Sequence, residues 1–478
     1  MTVETPLPWR QLGVLLLMNT AEPMTAAVIY PFIAQLVEEL HITGGQRSSV
    51  GYYVGLVESL FFLTEALFVL QWGRLSDRIG RKPVLLIGLS GLTLSMLSFG
   101  LSHTFFGIVI SRALAGALNG NIGILKSAVG EITDETNKAR AFSYLPLVWC
   151  LGSTISPIIG GYFSHPAEHF GGVFATDFWK HNPYFLPCSI SAAYSLLCSV
   201  LGLWFLEETH PSFRRPDKGK YIRLSGAEEN ILTPMQEIGG PYSSQAEPQE
   251  DLLQPVKPRT DFRHLCTKKV LISVLNYGVL ALLDIALQAL LPVFLATSLR
   301  FSPSSIGSTL GIMGLVNGAF QILLFVPIHR RIGTRNVFMV GMAAFLVIFA
   351  IFPLIEKEYA LNSRVTPRIY VLLTIIVVLC PVESMSFNVI FVYVQAASPS
   401  RSALGATNGI AQTAASIARA IGPASTTAFY AFSSHHPDIL GGFLVYFVLG
   451  FATLLGGIIA CTLPTEPWPS QEQDAIKL

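Results

Sequence analysis

The chain has 478 residues, of which 51% are hydrophobic and 13% are charged, and its formal net charge is +1. Soluble globular domains carry about 25% charged residues, so this composition excludes an ordinary soluble protein. A net charge this close to zero also argues against a nucleic-acid partner. The six cysteines show no paired spacing, which predicts small buried apolar side chains rather than disulfides or metal ligands.

Twelve stretches of the sequence are long and apolar enough to cross a membrane, which takes about 20 residues each. We call them spans 1 to 12. The predicted fold class is therefore an all-α membrane protein with twelve transmembrane helices. Span 1 contains Glu22 and Pro23 and lacks a small-residue cleavage site, so we expect it to be retained rather than removed as a signal peptide. The spans lie at 12–36, 49–71, 83–101, 104–128, 139–163, 183–206, 269–298, 305–328, 335–355, 368–396, 402–431 and 439–462.

Residues 207–268 differ from the sequence around them, because they mix Arg, Lys, Asp, Glu, Pro, Ser and Gln with few bulky apolar residues. That composition predicts a linker that is mostly disordered. It separates an N-terminal six-helix bundle (1–206) from a C-terminal six-helix bundle (269–478). Lys and Arg are more frequent on the side of the membrane that holds the linker and both termini, which predicts that this side is cytoplasmic.

Between spans 2 and 3, residues 73–83 carry four cations and one acid, so this stretch, the first hinge, is not expected in hydrocarbon. Gly73 is expected to let two helices approach closely, and Gly80 to permit a tight reversal of the chain. Asp77 is the one acid, and it can cap a neighbouring helix or pair with an arginine. The cations expected to hold the loop in the cytoplasm are Arg78, Arg81 and Lys82.

The first hinge closely resembles the Gly-x-Leu-Ser/Ala-Asp-Arg-x-Gly-Arg-Arg/Lys signature of the major facilitator superfamily, which it matches without departure. A partial second copy, the second hinge (326–336), lies between spans 8 and 9, with Gly333 in place of Gly80 and Arg330 in place of Asp77. The resemblance implies two six-helix bundles related by an axis along the membrane normal, with substrate bound between them near the midplane. Candidates to pair with the first hinge in a gate are Glu131 and Arg140.

Three charged residues inside the spans are candidates for proton coupling. Arg112 lies deep in span 4, where an arginine is costly unless it faces a cavity or an acid. Glu22, at a similar depth in span 1, is its expected partner and could take up and release a proton as its surroundings change. Glu65 in span 2, seven residues after Glu58, is the third candidate, although it could equally pack at a cytoplasmic gate. The alternative is a fixed ion pair that only ties helices together. Followed by Gly116, Arg112 resembles the family's helix-4 arginine, which has been linked to proton coupling.

Polar side chains along single faces of several spans predict a substrate cavity, because polar groups in a lipid-spanning helix face the protein interior. These stripes combine amides, carboxylates and aromatic rings, which suits an amphipathic organic substrate. The alternative is that they only form hydrogen bonds between helices. The candidates are Asn19 in span 1, Asn119 in span 4, Tyr277, Asp284 and Gln288 in span 7, Glu383, Phe387 and Asn388 in span 10, and Asn408 and Gln412 in span 11.

Span 5 contains a run of small residues with a central proline, which allows close helix packing and bending. The run resembles the antiporter signature of the family, with Ser156 where glycine is usual. The resemblance implies a transporter that exports substrate in exchange for protons. The residues that carry it are Gly152, Ser156, Pro157, Gly160 and Gly161.

A closer resemblance is to the fungal and plant branch near the zinc-induced facilitator-like transporters, within the drug:proton antiporter group. It is carried by Trp72, by the Asn119-Gly120 and Asn408-Gly409 pairs, by residues 165–168 with 183–188, and by residues 419–423. This resemblance implies a secondary active transporter, for which we expect proton-coupled export of small organic solutes or drugs. Two alternatives stay open: a facilitator or symporter of a small solute, and a non-transporting membrane receptor or scaffold that displays the linker.

No Gly-x-x-x-x-Gly-Lys phosphate loop occurs, so ATP-driven pumping is unsupported, and we expect neither enzymatic activity nor a cofactor. No metal site is expected, since Pro166 and an exposed loop weaken the pair formed by His165 and His169. The expected partners are a small-molecule substrate, protons and the lipid bilayer, without nucleic acid. We expect a multi-pass monomer in the plasma or vacuolar membrane, with both termini in the cytoplasm.

Overall fold

The computed structural model describes residues 5–134, 136–210, 213, 267–399 and 404–468. Every regular element in this part of the chain is helical. Nine of the described helices are long and apolar enough to cross a membrane by length and composition. The prediction of an all-α membrane fold is therefore confirmed. Most of the predicted linker lies outside the described residues.

The helices follow the predicted spans in order. In the first half of the chain they are Trp9–Asn19, Ala21–Ala27 and Ile33–Glu39 (span 1), Val50–Ile79 (span 2), Arg81–Gly100 (span 3), Phe105–Leu118 and Asn121–Ile132 (span 4), Lys138–Phe163 (span 5) and Phe185–Phe205 (span 6). In the second half they are Lys268–Thr297 (span 7), Pro303–Leu323 and Phe325–Ile332 (span 8), Thr334–Asn362 (span 9), Pro367–Ala396 (span 10), Leu404–His435 (span 11) and Leu444–Ala460 (span 12).

Spans 1 and 4 are broken within the membrane region. Pro31 lies in the second break of span 1, between Ala27 and Ile33, where it cannot donate a backbone hydrogen bond. Span 4 breaks at Asn119–Gly120, and the indole N–H of Trp72 donates to the carbonyl of Ala117, 2.7 Å away. A side chain from span 2 therefore satisfies a carbonyl next to the break.

The first hinge is helical for most of its length, since span 2 continues to Ile79 instead of ending near residue 71. Gly80 makes the reversal with φ of +100°, a region of backbone space that favours glycine, as expected. The expectation for Gly73 was wrong, because a Cβ atom there would meet nothing within 4 Å. Glycine at position 73 is thus not required by a close helix contact in this arrangement.

We call the end of the molecule that carries the two hinges the hinge side, and the opposite end the far side. At the far side the two halves of the chain touch through spans 2 and 11. The backbone N–H of Ala424 donates to Oγ of Ser59 at 2.9 Å. A Cβ atom on Gly51 would lie 2.6 Å from the carbonyl oxygen of Thr427, and one on Gly55 would lie 2.8 Å from that of Pro423. These glycines are needed for the close approach.

Spans 5 and 8 form a second far-side contact between the halves. A Cβ atom on Gly161 would lie 3.0 Å from Cα of Gly307, and one on Gly314 would lie 2.9 Å from Cβ of Thr154. Toward the hinge side these contacts end: Gly73, on the same face of span 2 as Gly51, has no neighbour within 4 Å of a Cβ position. The two halves are closed against each other at the far side and diverge toward the hinge side.

Candidate transport site

Arg112 is one of the most deeply buried charged residues of the first half, with 2% of its surface exposed. Its guanidinium lies 4.7 Å from the ring centroid of Phe61, and it interacts electrostatically with Tyr30 and Glu58. Spans 2 and 4 run parallel here, and Gly116 packs against the backbone of Phe61. Arg112, one turn before Gly116, is therefore brought level with Glu58, one turn before Phe61.

The side chains of Glu58 and Arg112 do not make all the hydrogen bonds that they could. Glu58 is 1% exposed, and neither its Oε1 atom nor Nε and Nη1 of Arg112 has a hydrogen-bond partner among the described residues. Buried polar atoms are almost always hydrogen-bonded, so these three atoms are exceptions. The acid and the base therefore sit close enough to stabilise each other but are not locked together by hydrogen bonds.

The predicted pairing of Glu22 with Arg112 was wrong. Glu22 is 7% exposed and lies about two turns nearer the hinge side than Tyr30 in span 1. Its charged neighbours are Arg419 of span 11, Lys126 of span 4 and Glu65 of span 2. Lys126 and Arg419 also interact with each other and with Glu65. We call these four residues (Glu22, Glu65, Lys126 and Arg419) the charge cluster.

The structure thus brings two of the three candidate proton-coupling residues, Glu22 and Glu65, into one cluster and leaves Arg112 in a separate layer nearer the far side. The amide side chain of Asn119 lies beside Glu22. Asn119 is fully buried, and apart from its contact with Glu22 neither of its side-chain polar atoms has a hydrogen-bond partner among the described residues.

In the second half, the structure brings several predicted cavity residues together. Asp284 accepts a hydrogen bond of 2.9 Å from Nε2 of Gln288 and interacts electrostatically with Glu383. The ring of Tyr277 lies edge-on to Phe387, with centroids 6.4 Å apart. These residues place two acids and two aromatic rings from spans 7 and 10 within one region.

Other predicted cavity residues have structural partners. Asn19 donates to the carbonyl of Leu145 at 3.2 Å, which favours the alternative of helix-to-helix bonding at that position. Asn388 donates to Oε1 of Gln321 at 2.8 Å, and Gln321 donates to the carbonyl of Pro381 at 3.1 Å. Gln321 was missed from the sequence, although its i, i+4 spacing from Asn317 in an apolar helix was a usable signal. Two predicted cavity residues remain, both in span 11: Gln412 is half-buried and Asn408 is exposed.

The small residues of span 5 have two sets of partners. On one side Gly152 faces span 1, where a Cβ atom would lie 2.7 Å from Cγ of Pro23, and Ser156 donates to the carbonyl of Met24 at 2.6 Å. A serine is thus accommodated where the family usually has glycine, because its hydroxyl group forms a hydrogen bond across the contact.

The rest of the run divides between two neighbours. Gly160 also faces span 1, at the backbone of Val28. Gly161 and the carbonyl group of Pro157 face Gly307 of span 8.

The first hinge holds a network of charged side chains. Arg81 lies 2.7 Å from Asp77 (Nη1 to Oδ1) and 3.0 Å from Glu131 (Nη2 to Oε1). Of the two roles open to Asp77, the structure shows the contact with an arginine, and Glu131 contacts the hinge through Arg81. Arg78 and Arg140 are exposed on the same side of the molecule.

The cap of span 3 is a residue that sequence reasoning missed. The carboxylate of Glu208, just after span 6, accepts hydrogen bonds from the backbone N–H groups of Arg81 at 2.8 Å and Lys82 at 3.1 Å. The next residue, Thr209, donates to Oε2 of Glu131 at 2.7 Å. The start of the predicted linker is therefore docked against the first hinge. Among the residues that the structure describes, no side chain caps the corresponding N-terminus at Gly333 in the second half.

We expect Glu208→Ala to weaken the first turn of span 3 by about 1 kcal/mol, because a helix N-terminus loses its carboxylate cap. Amide hydrogen exchange measured by mass spectrometry should show faster exchange in peptides that contain Arg81 and Lys82. Glu207→Ala is the matched control, since the Glu207 side chain is exposed. Unchanged exchange in Glu208→Ala would contradict the assigned cap.

The far side carries a cavity of about 560 Å³ whose lining comes from both halves. Burial alone would raise the pKa of Glu39, but its contact with Nε2 of His165 at 3.0 Å and other hydrogen bonds hold that pKa below its usual value. Burial raises the pKa of the neighbouring Glu38, against the opposing effect of Arg47. Among the described residues, no group of three His, Cys, Asp or Glu side chains could hold a metal ion.

Comparison with known proteins agrees with this architecture. The family model "Major Facilitator Superfamily" matches residues 15–423 and again 270–477. The chain is 30% identical to "Major facilitator superfamily multidrug transporter mfsB" of Aspergillus fumigatus, over 88% of this chain and 78% of that one. It is 26% identical to "Protein ZINC INDUCED FACILITATOR 1" of Arabidopsis thaliana, over 92% of this chain and 88% of that one.

Among solved structures, the "D-xylose-proton symporter" shares the fold, with a TM-score of 0.69 at 12% identity, over 96% of this chain and 98% of that one. The predicted resemblance, including its fungal and plant branch, is confirmed. The chain is an integral multi-pass membrane protein and belongs to the Major Facilitator Superfamily of secondary transporters.

Proposed function

We propose that this transporter exports small organic solutes in exchange for protons by alternating access. The observation that carries the proposal is the charge cluster, in which the buried acid Glu22 lies where the two halves diverge toward the hinge side. A carboxyl group in that position can bind or release a proton when its access and its neighbours change. The named activity of the relative mfsB, multidrug transport, supports an organic substrate.

The roles we propose for individual residues follow from their places. Glu22 and Glu65 carry the proton, and Arg112 with Glu58 keeps a charge pair nearer the far side. The substrate lies between the halves against the amide of Asn119 and against the second-half group of rings and acids. Those second-half residues are Tyr277, Asp284, Gln288, Glu383 and Phe387.

The hinge side is proposed to be cytoplasmic, because positively charged loops stay on that side of a membrane. Both termini and the linker (207–268) then lie in the cytoplasm, between bundles at 1–206 and 269–478. We propose that the protein works as a monomer, without catalytic chemistry or a cofactor, in the plasma or vacuolar membrane. The hinge network of Asp77, Arg81 and Glu131 is part of the gate on that side.

We expect Glu22→Gln to lose at least tenfold of the transport driven by a pH gradient, because glutamine cannot carry a proton. Purified protein in liposomes, with tetracycline and rhodamine 6G as probes and an internal pH dye, would measure solute and proton fluxes together. Glu168→Gln is the matched control, since Glu168 is an exposed acid at the far side.

The sign of the fluxes tests the proposal. Protons should move opposite to the solute in the wild-type protein. Movement in the same direction would show a symporter instead, and transport that ignores the pH gradient would show a facilitator. Gradient-driven transport by Glu22→Gln equal to that of the wild type would rule out Glu22 as the carrier.

A further inference from the structure

The loop between spans 5 and 6 lies at the far side, and its two ends are joined where it leaves the bundle. Span 5 ends at Phe163 and span 6 begins at Phe185. The backbone N–H of His165 donates to the carbonyl of Pro183 at 2.9 Å, which closes residues 166–182 into one segment. We call this segment the far-side loop. It contains three short helices, Pro166–His169, Gly172–Ala175 and Asp177–His181.

The depth of the far-side loop follows from span 6. The helix Phe185–Phe205 has 21 residues, and at 1.5 Å per residue it is about 31 Å long, which matches a hydrocarbon thickness of about 30 Å. Its exposed residues are all apolar, as a lipid-facing surface requires: Ala193, Leu196, Leu197, Val200, Leu203, Trp204 and Phe205. Phe185 therefore lies at the far-side edge of the hydrocarbon, and the far-side loop lies at the level of the lipid headgroups.

A row of aromatic rings crosses the far-side loop from span 5 to span 6. The ring centroid of Phe170 lies 5.7 Å from that of Phe163 and 5.7 Å from that of Phe174. The row continues from Phe174 to Trp179 at 5.1 Å and from Trp179 to Phe185 at 6.1 Å. These distances are typical of aromatic rings in contact. The apolar surface of the loop is therefore joined at both ends to membrane-spanning helices.

Apolar side chains of the far-side loop are open to the surroundings. Phe170 is 50% exposed and Phe178 is 46% exposed, while Val173, between them in the chain, is 83% exposed. The charged side chains of Asp177 and Lys180 lie 3.5 Å apart, and both are largely exposed. The loop thus combines an uncovered apolar surface with charged groups beside it.

We propose that the far-side loop is a lipid-binding element whose apolar surface lies in the bilayer. Phe170, Val173 and Phe178 enter the boundary between headgroups and acyl chains, where interfacial helices bury their apolar faces by about 5–10 Å. Asp177 and Lys180 stay among the headgroups and water. This inference goes beyond the proposed transport function and does not depend on proton coupling.

The bilayer is the occupant that fits, because the apolar surface of the loop continues into the lipid-facing surface of span 6. Phe178 and Trp179 both contact Phe185, the first residue of that helix, with centroids 5.4 and 6.1 Å apart. Tryptophan is enriched where membrane proteins cross the headgroup level. A docking site for a soluble protein is instead typically an apolar patch rimmed by polar residues, whereas this patch opens onto the lipid-facing surface of span 6.

The lipid contact also bears on the cavity between the two halves. His165, Glu168 and His169, at the start of the loop, line the far-side cavity. Nε2 of His165 contacts Glu39 at 3.0 Å, and Nδ1 of His169 donates to the carbonyl of Ser164 at 2.9 Å. The bilayer therefore supports one wall of this cavity through the far-side loop.

Electron paramagnetic resonance measures the depth of the loop directly. One spin-labelled amino acid at a time is introduced at position 173, 177 or 178 of the full-length protein in phosphatidylcholine nanodiscs. Collisions with oxygen, which concentrates in lipid, are compared with collisions with a water-soluble nickel chelate. Labels at positions 173 and 178 should collide with oxygen at least threefold more often than with the chelate, and the label at position 177 should show the reverse.

Leu361 provides a matched control, since it is also an apolar residue at the far side and is 74% exposed. It lies near the end of the 29-residue helix Thr334–Asn362, which at 1.5 Å per residue exceeds the hydrocarbon thickness by about 13 Å. The nearby carboxylate of Glu358 lies 3.3 Å from Nη1 of Arg368. A label at position 361 should therefore collide mainly with the nickel chelate.

Removing the two exposed rings tests the cause of the lipid contact. In the double variant Phe170→Ser with Phe178→Ser, the ratio of oxygen to nickel collisions at position 173 should fall at least threefold, whereas Lys180→Ser should leave it unchanged. An unchanged ratio in the double variant, or an equal fall in Lys180→Ser, would overturn the proposal.

Two results in the wild-type background would also overturn it. Nickel access at position 173 equal to that at position 361 would place the apolar surface in water, where it is open to a soluble protein. A label at position 173 that neither reagent reaches would show that the protein itself covers this surface.

Discussion

Gly161→Ala will strongly impair transport, because the far side will no longer close. A Cβ atom at this position would lie 3.0 Å from Cα of Gly307 and 3.0 Å from the carbonyl carbon of Pro303. Both neighbours are backbone atoms of span 8, so no side chain can rotate out of the way. Spans 5 and 8 would have to move apart, and with them the first and second halves at the far side.

We expect at least a tenfold loss of transport rate in liposomes. Electron–electron double resonance between spin labels at two exposed far-side positions, Val173 in the first half and Leu361 in the second half, should give a longer distance than in the wild-type protein. Gly307→Ala should have the same effect, since it adds a methyl group from the opposite side of the contact.

Gly130→Ala is the matched control for that substitution. Gly130 also lies in a spanning helix, but a Cβ atom there would meet nothing within 4 Å. Alanine is favoured over glycine in a helix by about 1 kcal/mol, so this variant should fold and transport normally. Normal transport by Gly161→Ala would show that the contact between spans 5 and 8 yields without cost.

Arg112→Met will both abolish transport and destabilise the first half. Removing one member of a buried charge pair leaves the other uncompensated and costs about 3 kcal/mol or more. In this protein the charge left behind is Glu58, which is 1% exposed. The loss also includes the contact between the guanidinium and the ring of Phe61 at 4.7 Å.

The double variant Glu58→Gln with Arg112→Met should recover most of that stability, because neither charge remains buried. Steric-trap measurements of the free energy of unfolding in bicelles would give both values and their coupling energy. Transport should stay low in the double variant. If the losses of unfolding free energy in the two single variants simply add in the double variant, Glu58 and Arg112 do not stabilise each other.

The spans, the first hinge and the charged residues inside the spans could all be recognised from the sequence, because each rests on local chemistry. A run of apolar residues has to form a helix in a bilayer, and Gly80 is suited to a backbone with positive φ whatever surrounds it. The antiporter-like run in span 5 was likewise visible as a pattern of small residues.

The pairing of charges was not predictable in this way. Glu22 and Arg112 seemed matched by depth, but depth says nothing about the rotation of each helix around its axis. Packing of Gly116 against Phe61 turns Arg112 toward Glu58, and the crossing of spans 2 and 11 brings Arg419 toward Glu22. Glu208 was missed for a related reason, since its hinge partners are more than a hundred residues away in the chain.

The sequence by itself determined that this chain is a helical membrane transporter with acids and bases inside its spans, because hydropathy and motif spacing are properties of neighbouring residues. The tertiary structure decided which acid faces which base and which end of the molecule is closed. Those outcomes depend on contacts between helices distant in the chain, where one methyl group at Gly55 or Gly161 is enough to forbid an approach.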